Sequence, residues 1–179
     1  MVPNFPTALT WLRIVLIPVF VGVYYVPDFW LSPVLRNWVG MGVFALAAIT
    51  DWFDGYLARR WNVESAFGKI ADPLADRLMI DAAVLLLIHA DRLPWLALII
   101  PARDLLAVVG TPILMGRGYE FQVNRLGKAA TWLLYASLGF VMVTPKGTDW
   151  PLWIFWTGLV LGLVALVEYA LKARREVLA

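Results

Sequence analysis

The chain of 179 residues contains no cysteine, a single histidine and few charges. The lack of cysteine excludes disulfide bonds, thiolate metal sites and a cysteine nucleophile, and one histidine, His89, cannot form a multi-histidine metal cluster. Any metal chemistry must therefore use oxygen ligands. Charged residues make up 16% of the chain and hydrophobic residues 61%, whereas a soluble domain has about 25% and 45–50%. This composition, with a mean hydropathy of +0.74, excludes a water-soluble globule and predicts an integral membrane protein.

The balance of charge is close to neutral. The formal net charge is +2 at pH 7 and the isoelectric point is about 9.0, values too mild in so apolar a chain to indicate nucleic-acid binding. Basic residues beside an anionic lipid surface account for them better. We therefore expect membrane lipids, and no nucleic acid, among the partners.

Six apolar stretches, separated by proline, glycine and charged residues, divide the chain. A bilayer-spanning helix needs about 20 apolar residues, so the chain can hold at most six or seven of them. We interpret the stretches as transmembrane helices at 8–25, 38–57, 68–90, 94–115, 127–143 and 151–171. Their short connections predict one all-α bundle over residues 1–179, without a separate soluble domain. The first stretch lacks a basic leader and a cleavage site, so we expect it to be retained as a helix rather than removed as a signal peptide.

The distribution of lysine and arginine predicts the orientation in the membrane. In an even-numbered bundle the more basic side faces the cytoplasm, and nine basic residues fall on one side against three on the other, which predicts two cytoplasmic termini. The nine are Arg59, Arg60, Lys69, Arg117, Arg125, Lys128, Lys172, Arg174 and Arg175; the three are Arg36, Arg92 and Lys146. Tryptophans near the predicted helix ends are expected to anchor at the membrane interface: Trp30, Trp38, Trp61, Trp95, Trp150 and Trp153.

Four aspartates are spaced so that they share helical faces at the cytoplasmic ends of the second and third helices. Asp51 and Asp54 are three residues apart, and Asp72 and Asp76 are four apart, so each pair projects from one side of its helix. Intramembrane charges cost about 2.5–3.5 kcal/mol each and like charges repel. A divalent cation removes both penalties, and carboxylates favour Mg²⁺, Mn²⁺ or Ca²⁺. The pattern therefore predicts a site for up to two such ions.

A structural ion network is the alternative interpretation of these aspartates. Four basic residues lie close enough in sequence to pair with them: Arg59, Arg60, Lys69 and Arg77. Small residues on the same helical faces, Gly55, Ala58 and Gly68, favour a ligand instead, because they let another molecule approach the backbone. Small residues also permit close packing of membrane helices, so both interpretations stay open at this point.

Taken as one string, residues 51–76 match D-x-x-D-G-x-x-A-R-x8-G-x-x-x-D-x-x-x-D. This pattern resembles the signature of the CDP-alcohol phosphotransferase family, also called CDP-alcohol phosphatidyltransferases. Residues 4–13, which read NFPTALTWLR, are similar to the family's N-terminal N-x-P-x-x-x-T-x-x-R. The eight fixed positions of the first pattern, between two apolar helices, make a chance match improbable.

The resemblance implies transfer of a phosphatidyl group from CDP-diacylglycerol to an alcohol, with release of CMP. Carried over by position, it makes Asp51, Asp54, Asp72 and Asp76 ligands of two Mg²⁺ or Mn²⁺ ions, and Asp76 also the general base. Residues expected near the CDP-lipid are Thr10, Arg13, Gly55, Ala58, Arg59 and Gly68. Arg13 has a second interpretation, an ion pair with a motif aspartate. The family also implies a homodimer in the cell membrane, with the active site facing the cytoplasm.

The acceptor alcohol is predicted less directly. Residues 4–18 and 51–62 resemble phosphatidylglycerophosphate synthases, which use glycerol 3-phosphate. Such an acceptor needs cations for its phosphate, and Arg103 and Lys128 are the candidates. Alternatively, Arg103 neutralises Asp104, and Lys128 extends to the membrane interface.

The second half of the chain departs from those synthases at two positions where they carry basic residues. Residues 111–112 read TP and residues 127–131 read GKAAT. Residues 102–110, ARDLLAVVG, together with residues 125–131, RLGKAAT, are similar to the family's cardiolipin synthases, whose acceptor is phosphatidylglycerol. Glycerol 3-phosphate is our leading prediction, phosphatidylglycerol the alternative and inositol phosphate a third. A divalent-cation transporter is the alternative of another class, but its ion path would cross the midplane, whereas these carboxylates cluster toward one end.

Overall fold

The computed structural model describes residues 5–61, 68–115 and 125–178, with side chains described at 11–50, 53, 74–108, 126–169 and 171–172. Within these ranges the chain forms six α-helices and one short 3₁₀ turn, Trp95–Leu98, and no strand. The helices are α1 Phe5–Tyr25, α2 Pro33–Trp61, α3 Gly68–His89, α4 Ile99–Met115, α5 Arg125–Val143 and α6 Trp150–Leu178. The prediction of an all-α fold is confirmed for this part of the chain.

Two helices, α2 and α6, extend well beyond the bounds that the hydrophobic pattern predicts. Helix α2 begins at Pro33 rather than at residue 38, because proline suits the first turn of a helix and Ser32 caps it. The Leu35 N–H donates to Ser32 Oγ at 3.4 Å. Helix α6 continues beyond residue 171 to Leu178.

Among the described residues, three helices contain segments long and apolar enough to cross a membrane. These segments are Pro33–Thr50 of α2, Leu126–Val143 of α5 and Trp150–Tyr169 of α6, and α1 contributes a shorter apolar segment, Trp11–Tyr25. Five of the predicted interface tryptophans have described side chains, and all are exposed: Trp30, Trp38, Trp95, Trp150 and Trp153. They lie where α1 passes to α2, α3 to α4 and α5 to α6. Trp61 lies outside the described side chains.

Helix α3 lies at the centre of the bundle, where it packs against α1, α2, α4 and α5. Four buried or half-buried rings form an aromatic column beside it: Tyr24, Phe20, Phe44 and Tyr135. Successive ring centroids are 5.5, 5.7 and 5.1 Å apart, within the range of favourable aromatic pairs. The column joins α1, α2 and α5 and ends, at Tyr135, against α3.

Helices α5 and α6 approach closely through small residues. A β-carbon at Gly158 would lie 3.1 Å from Leu133 Cβ and 3.3 Å from the Ala130 backbone oxygen. Glycine at this position brings the two backbones together, as is common in membrane helix pairs. On the same helix, Gly162 faces the Arg103 guanidinium of α4.

Candidate active site

The four motif aspartates fall on two consecutive, packed helices. Asp51 and Asp54 lie toward the carboxyl end of α2, and Asp72 and Asp76 lie near the amino end of α3. Only Asp76 has a described side chain. The predicted metal ligands Asp51, Asp54 and Asp72 and the predicted lipid-binding residues Thr10, Gly55, Ala58, Arg59 and Gly68 lie outside the described side chains. Their roles therefore stay predictions.

Asp76 stands where α1, α3 and α5 meet. Its side chain is 24% exposed, and its Oδ1 lies 3.6 Å from Nη1 of the fully buried Arg13. The Tyr135 hydroxyl donates a hydrogen bond to the same Oδ1 at 3.0 Å, and lies 3.4 Å from the Asp76 backbone oxygen. Two donors from different helices therefore converge on one carboxylate oxygen.

Arg13 illustrates why this cluster holds together. A guanidinium removed from water is costly unless an opposite charge compensates it, and the Asp76 carboxylate provides that charge. The structure thus contains the ion pair that the sequence offered as one of two interpretations of Arg13. Contact between Arg13 and the diphosphate of a CDP-lipid stays a prediction.

A second polar cluster lies between α3 and α4. Arg103 donates from Nε to Asp104 Oδ1 at 2.9 Å, and its Nη2 lies 2.9 Å from the same oxygen. The Asp104 side chain is only 6% exposed, and Arg77 Nη1 lies 3.5 Å from the Asp104 backbone oxygen. Asp81 is attracted electrostatically by Arg103 and Arg77 and repelled by Asp104. Two acidic and two basic groups of α3 and α4 therefore interact within this cluster.

Helix α6 contributes Gly162 to this second cluster, where the absence of a side chain leaves room for Arg103. The Arg103 guanidinium lies directly over Gly162, where a β-carbon would overlap Nη1 and would stand 3.5 Å from Cζ. The predicted acceptor residue Arg103 is therefore held by Asp104 on one side and by the glycine on the other. Its pairing with Asp104 is the alternative that the sequence left open.

Lys128, the other predicted acceptor residue, is exposed in the first turn of α5. The structure does not join it to Arg103 by any contact among the described residues. An exposed lysine at a helix end suits both of its interpretations, extension to the interface and attraction of an anionic acceptor.

Sequence reasoning missed two residues of this region, Tyr135 and Gly162. The one signal available for Tyr135 is general: a buried phenol in an apolar helix needs a hydrogen-bond partner. Gly162 carries no signal of its own, because its importance depends on which side chain from α4 reaches it.

An oxygen-ligand metal site fits the donor set of this region. Asp76 is a half-buried carboxylate, and the single histidine, His89, lies at the opposite end of α3. Among the described side chains, no three acidic or histidine groups lie together as a metal site would require. The predicted set includes three aspartates beyond those side chains, so the four-aspartate site stays a prediction.

Comparison with known proteins supports the resemblance. A family model described as CDP-alcohol phosphatidyltransferase matches residues 3–164. The chain is 33% identical over 189 aligned residues to the CDP-diacylglycerol--glycerol-3-phosphate 3-phosphatidyltransferase of Escherichia coli (strain K12), covering 98% of this chain and 97% of that protein. It is 36% identical over 168 residues to the Bacillus subtilis (strain 168) protein of the same name, covering 84% and 86%. A Salmonella typhimurium protein of that name is 33% identical over 98% of this chain and 97% of its own length.

Proposed function

The chain belongs to the CDP-alcohol phosphatidyltransferase family, and from that premise we propose that it transfers the phosphatidyl group of CDP-diacylglycerol to glycerol 3-phosphate. The observation that carries the proposal is the similarity to glycerol-3-phosphate phosphatidyltransferases over nearly the whole length of both chains. The protein is then a phosphatidylglycerophosphate synthase, a membrane enzyme of phospholipid synthesis.

The reaction exchanges one phosphate ester for another. The glycerol 3-phosphate hydroxyl oxygen bonds to the phosphorus that carries the diacylglycerol. The bond from that phosphorus to the oxygen of the leaving CMP breaks, and the hydroxyl proton passes to a base. We assign that base as Asp76, whose half-buried carboxylate lies at the junction of three helices. A general base must lie within hydrogen-bond reach of the attacking hydroxyl, and a site on packed helices keeps it in place.

The aspartates Asp51, Asp54, Asp72 and Asp76 would hold two divalent ions, Mg²⁺ or Mn²⁺, which would neutralise charge on the diphosphate and the leaving CMP. The oxygen-only donor set supports this choice of metal. Arg13 and Tyr135 contact the same carboxylate as the metal would. Their contribution is to hold Asp76 while the substrates bind.

Arg103 and Lys128 are proposed to bind the phosphate of the acceptor. Arg103 offers a planar guanidinium fixed by Asp104, and a fixed fork loses little freedom when it binds phosphate. The names of the relatives support glycerol 3-phosphate as the acceptor. Phosphatidylglycerol, favoured by the pattern of residues 102–110 and 125–131, is the competing acceptor that the assay must include.

We further propose six membrane spans, with both termini and the active site on the cytoplasmic side, and a homodimer. Three apolar segments of spanning length and the family support a membrane protein. The nine-to-three distribution of basic residues supports the orientation.

The test is product identification with purified protein, labelled CDP-diacylglycerol and Mg²⁺ or Mn²⁺. Separate reactions would contain glycerol 3-phosphate, phosphatidylglycerol, inositol phosphate or serine. We expect CMP release and phosphatidylglycerophosphate with glycerol 3-phosphate, and no turnover after chelation of the metal. Formation of cardiolipin instead would show that phosphatidylglycerol, and not glycerol 3-phosphate, is the acceptor. Absence of CMP release with every acceptor would favour a transporter.

Asp76→Asn is the variant that tests the base. We expect it to abolish turnover while retaining measurable CDP-diacylglycerol binding. Asp149→Asn, the same change at an exposed aspartate before α6, serves as the control and should leave both unchanged. Equal loss of turnover and binding in Asp76→Asn would mark Asp76 as mainly structural.

A further inference from the structure

Among the side chains that the structure describes, Tyr135 lies outside the sequence motifs and contacts the proposed base. Its hydroxyl donates to Asp76 Oδ1 at 3.0 Å, at the long end of the range for hydrogen bonds between oxygen atoms. The residue lies on α5, 59 positions from Asp76. No local sequence pattern relates the two, and their contact exists only in the folded bundle.

The ring of Tyr135 is held on the side away from Asp76. Only 8% of the residue is exposed, and its ring lies 5.1 Å from the ring of Phe44, itself buried. Phe44 packs in turn on Phe20, in the aromatic column that crosses α1 and α2. A side chain packed in this way cannot easily change rotamer in a close-packed interior, so the direction of its hydroxyl is fixed.

We propose, as an extension of the proposed function, that Tyr135 is a positioning residue for the base. Its hydroxyl and Arg13 Nη1 both approach Oδ1, and this engagement fixes the rotation of the carboxylate. The carboxylate held in this orientation receives the proton of the acceptor hydroxyl. The oxygen–hydrogen bond of the acceptor breaks, an oxygen–hydrogen bond forms on Asp76, and CMP leaves with the electrons of the broken phosphorus–oxygen bond.

The proposal follows from how strongly proton transfer depends on geometry. A base contributes only when the reacting atoms are aligned, and a displacement of about 1 Å can cost about 100-fold in rate. Arg13 alone, at 3.6 Å, lies beyond the usual hydrogen-bond length. The Tyr135 hydroxyl therefore supplies the shorter and more directional of the two contacts to Oδ1.

The experiment compares Tyr135→Phe with Tyr24→Phe in the full-length protein, using glycerol 3-phosphate and CDP-diacylglycerol. Both variants remove one phenolic oxygen from the same aromatic column, but Tyr24 lies at the opposite end of it. We expect kcat of Tyr135→Phe to fall about 10- to 100-fold. The KM values, CDP-diacylglycerol binding without acceptor and the thermal unfolding midpoint should stay those of the wild type. Tyr24→Phe should keep the wild-type kcat.

A donor at the same position should restore the rate. Replacement of Tyr135 by p-aminophenylalanine keeps the ring and places an N–H where the O–H was, and we expect it to recover most of the lost kcat. A wild-type kcat in Tyr135→Phe would overturn the proposal. A joint fall of kcat, lipid binding and unfolding midpoint would overturn it too, in favour of a merely structural role.

These outcomes are distinct from failure of the proposed function. If the wild type and Tyr24→Phe release CMP in the presence of glycerol 3-phosphate, the proposed function stands whatever Tyr135→Phe does. If the wild type releases none, the proposed function fails. The positioning role then fails with it, since there is no base to position.

Discussion

The guanidinium of Arg103 occupies the space that Gly162 leaves by having no side chain. A β-carbon on Gly162 would overlap Nη1 and would lie 3.7 Å from Ala130 Cβ, so α6 can approach α4 and α5 together only with glycine at this position. Asp104 holds the other side of the guanidinium through Nε and Nη2. Three helices thus determine where the proposed acceptor-binding cation stands.

Gly162→Ala is expected to weaken acceptor binding. The added methyl group displaces Arg103 Nη1 and removes about one charge-assisted hydrogen bond to the acceptor phosphate, so KM for glycerol 3-phosphate should rise about 10-fold. KM for CDP-diacylglycerol should not change. Gly42→Ala is the matched control, since a β-carbon there meets nothing within 4 Å. If a folded Gly162→Ala enzyme kept the wild-type KM for glycerol 3-phosphate, the proposed role of Arg103 in acceptor binding would be contradicted.

Asp104→Ala is expected to destabilise the fold through Arg103. Removing one partner of a buried pair leaves the other charge uncompensated, at a cost of about 3–5 kcal/mol in the free energy of unfolding. Asp28→Ala makes the same change in the pair between Asp28 and Arg36, where Asp28 is 71% exposed. That exposed pair should contribute about 1 kcal/mol or less. Unfolding in mixed micelles measures the free energy of unfolding of both variants. Equal losses in the two would contradict the inference that Asp104 stabilises a buried charge.

The sequence predicts the helices well because apolar runs depend on local spacing alone. Such runs predict the six helices found in the described part of the chain, whereas the pairing of the motif aspartates on shared helical faces stays a prediction. Arg13 was predicted as a partner of a motif aspartate or of the diphosphate, and the structure shows the first contact.

What the sequence could not predict depends on how distant helices pack. Tyr135 reaches Asp76 across 59 positions, and Gly162 matters only because Arg103 of α4 faces it. The hydrophobic pattern predicts the start of the second helix at residue 38, whereas α2 begins at Pro33, since proline favours both turns and helix starts.

Arg92→Met is expected to destabilise the end of α5. Arg92 Nη1 donates to the backbone oxygens of Val141 at 2.7 Å and Thr144 at 2.8 Å, carbonyls left without helical partners at the end of α5. Methionine keeps most of the stem but no donor, so the free energy of unfolding should fall by about 1–3 kcal/mol. Lys146→Ala, an exposed change in the turn that follows, should alter it by less than about 0.5 kcal/mol. If Arg92→Met lowered the free energy of unfolding no more than Lys146→Ala does, the capping role of Arg92 would be contradicted.

The absence of cysteine from the chain makes the proposed orientation directly measurable. A single cysteine introduced by Lys146→Cys or by Lys172→Cys is the only thiol present, and both positions are exposed. The apolar segment Trp150–Tyr169 lies between them; it has the length of one membrane crossing, so the two thiols should lie on opposite sides. Because the positive-inside rule places the side of Lys172 in the cytoplasm, a membrane-impermeant maleimide should label Lys146→Cys in intact cells. It should label Lys172→Cys only after permeabilisation. If only Lys172→Cys were labelled in intact cells, the orientation would be the reverse of the one proposed. Labelling of both would show that α6 does not cross the membrane.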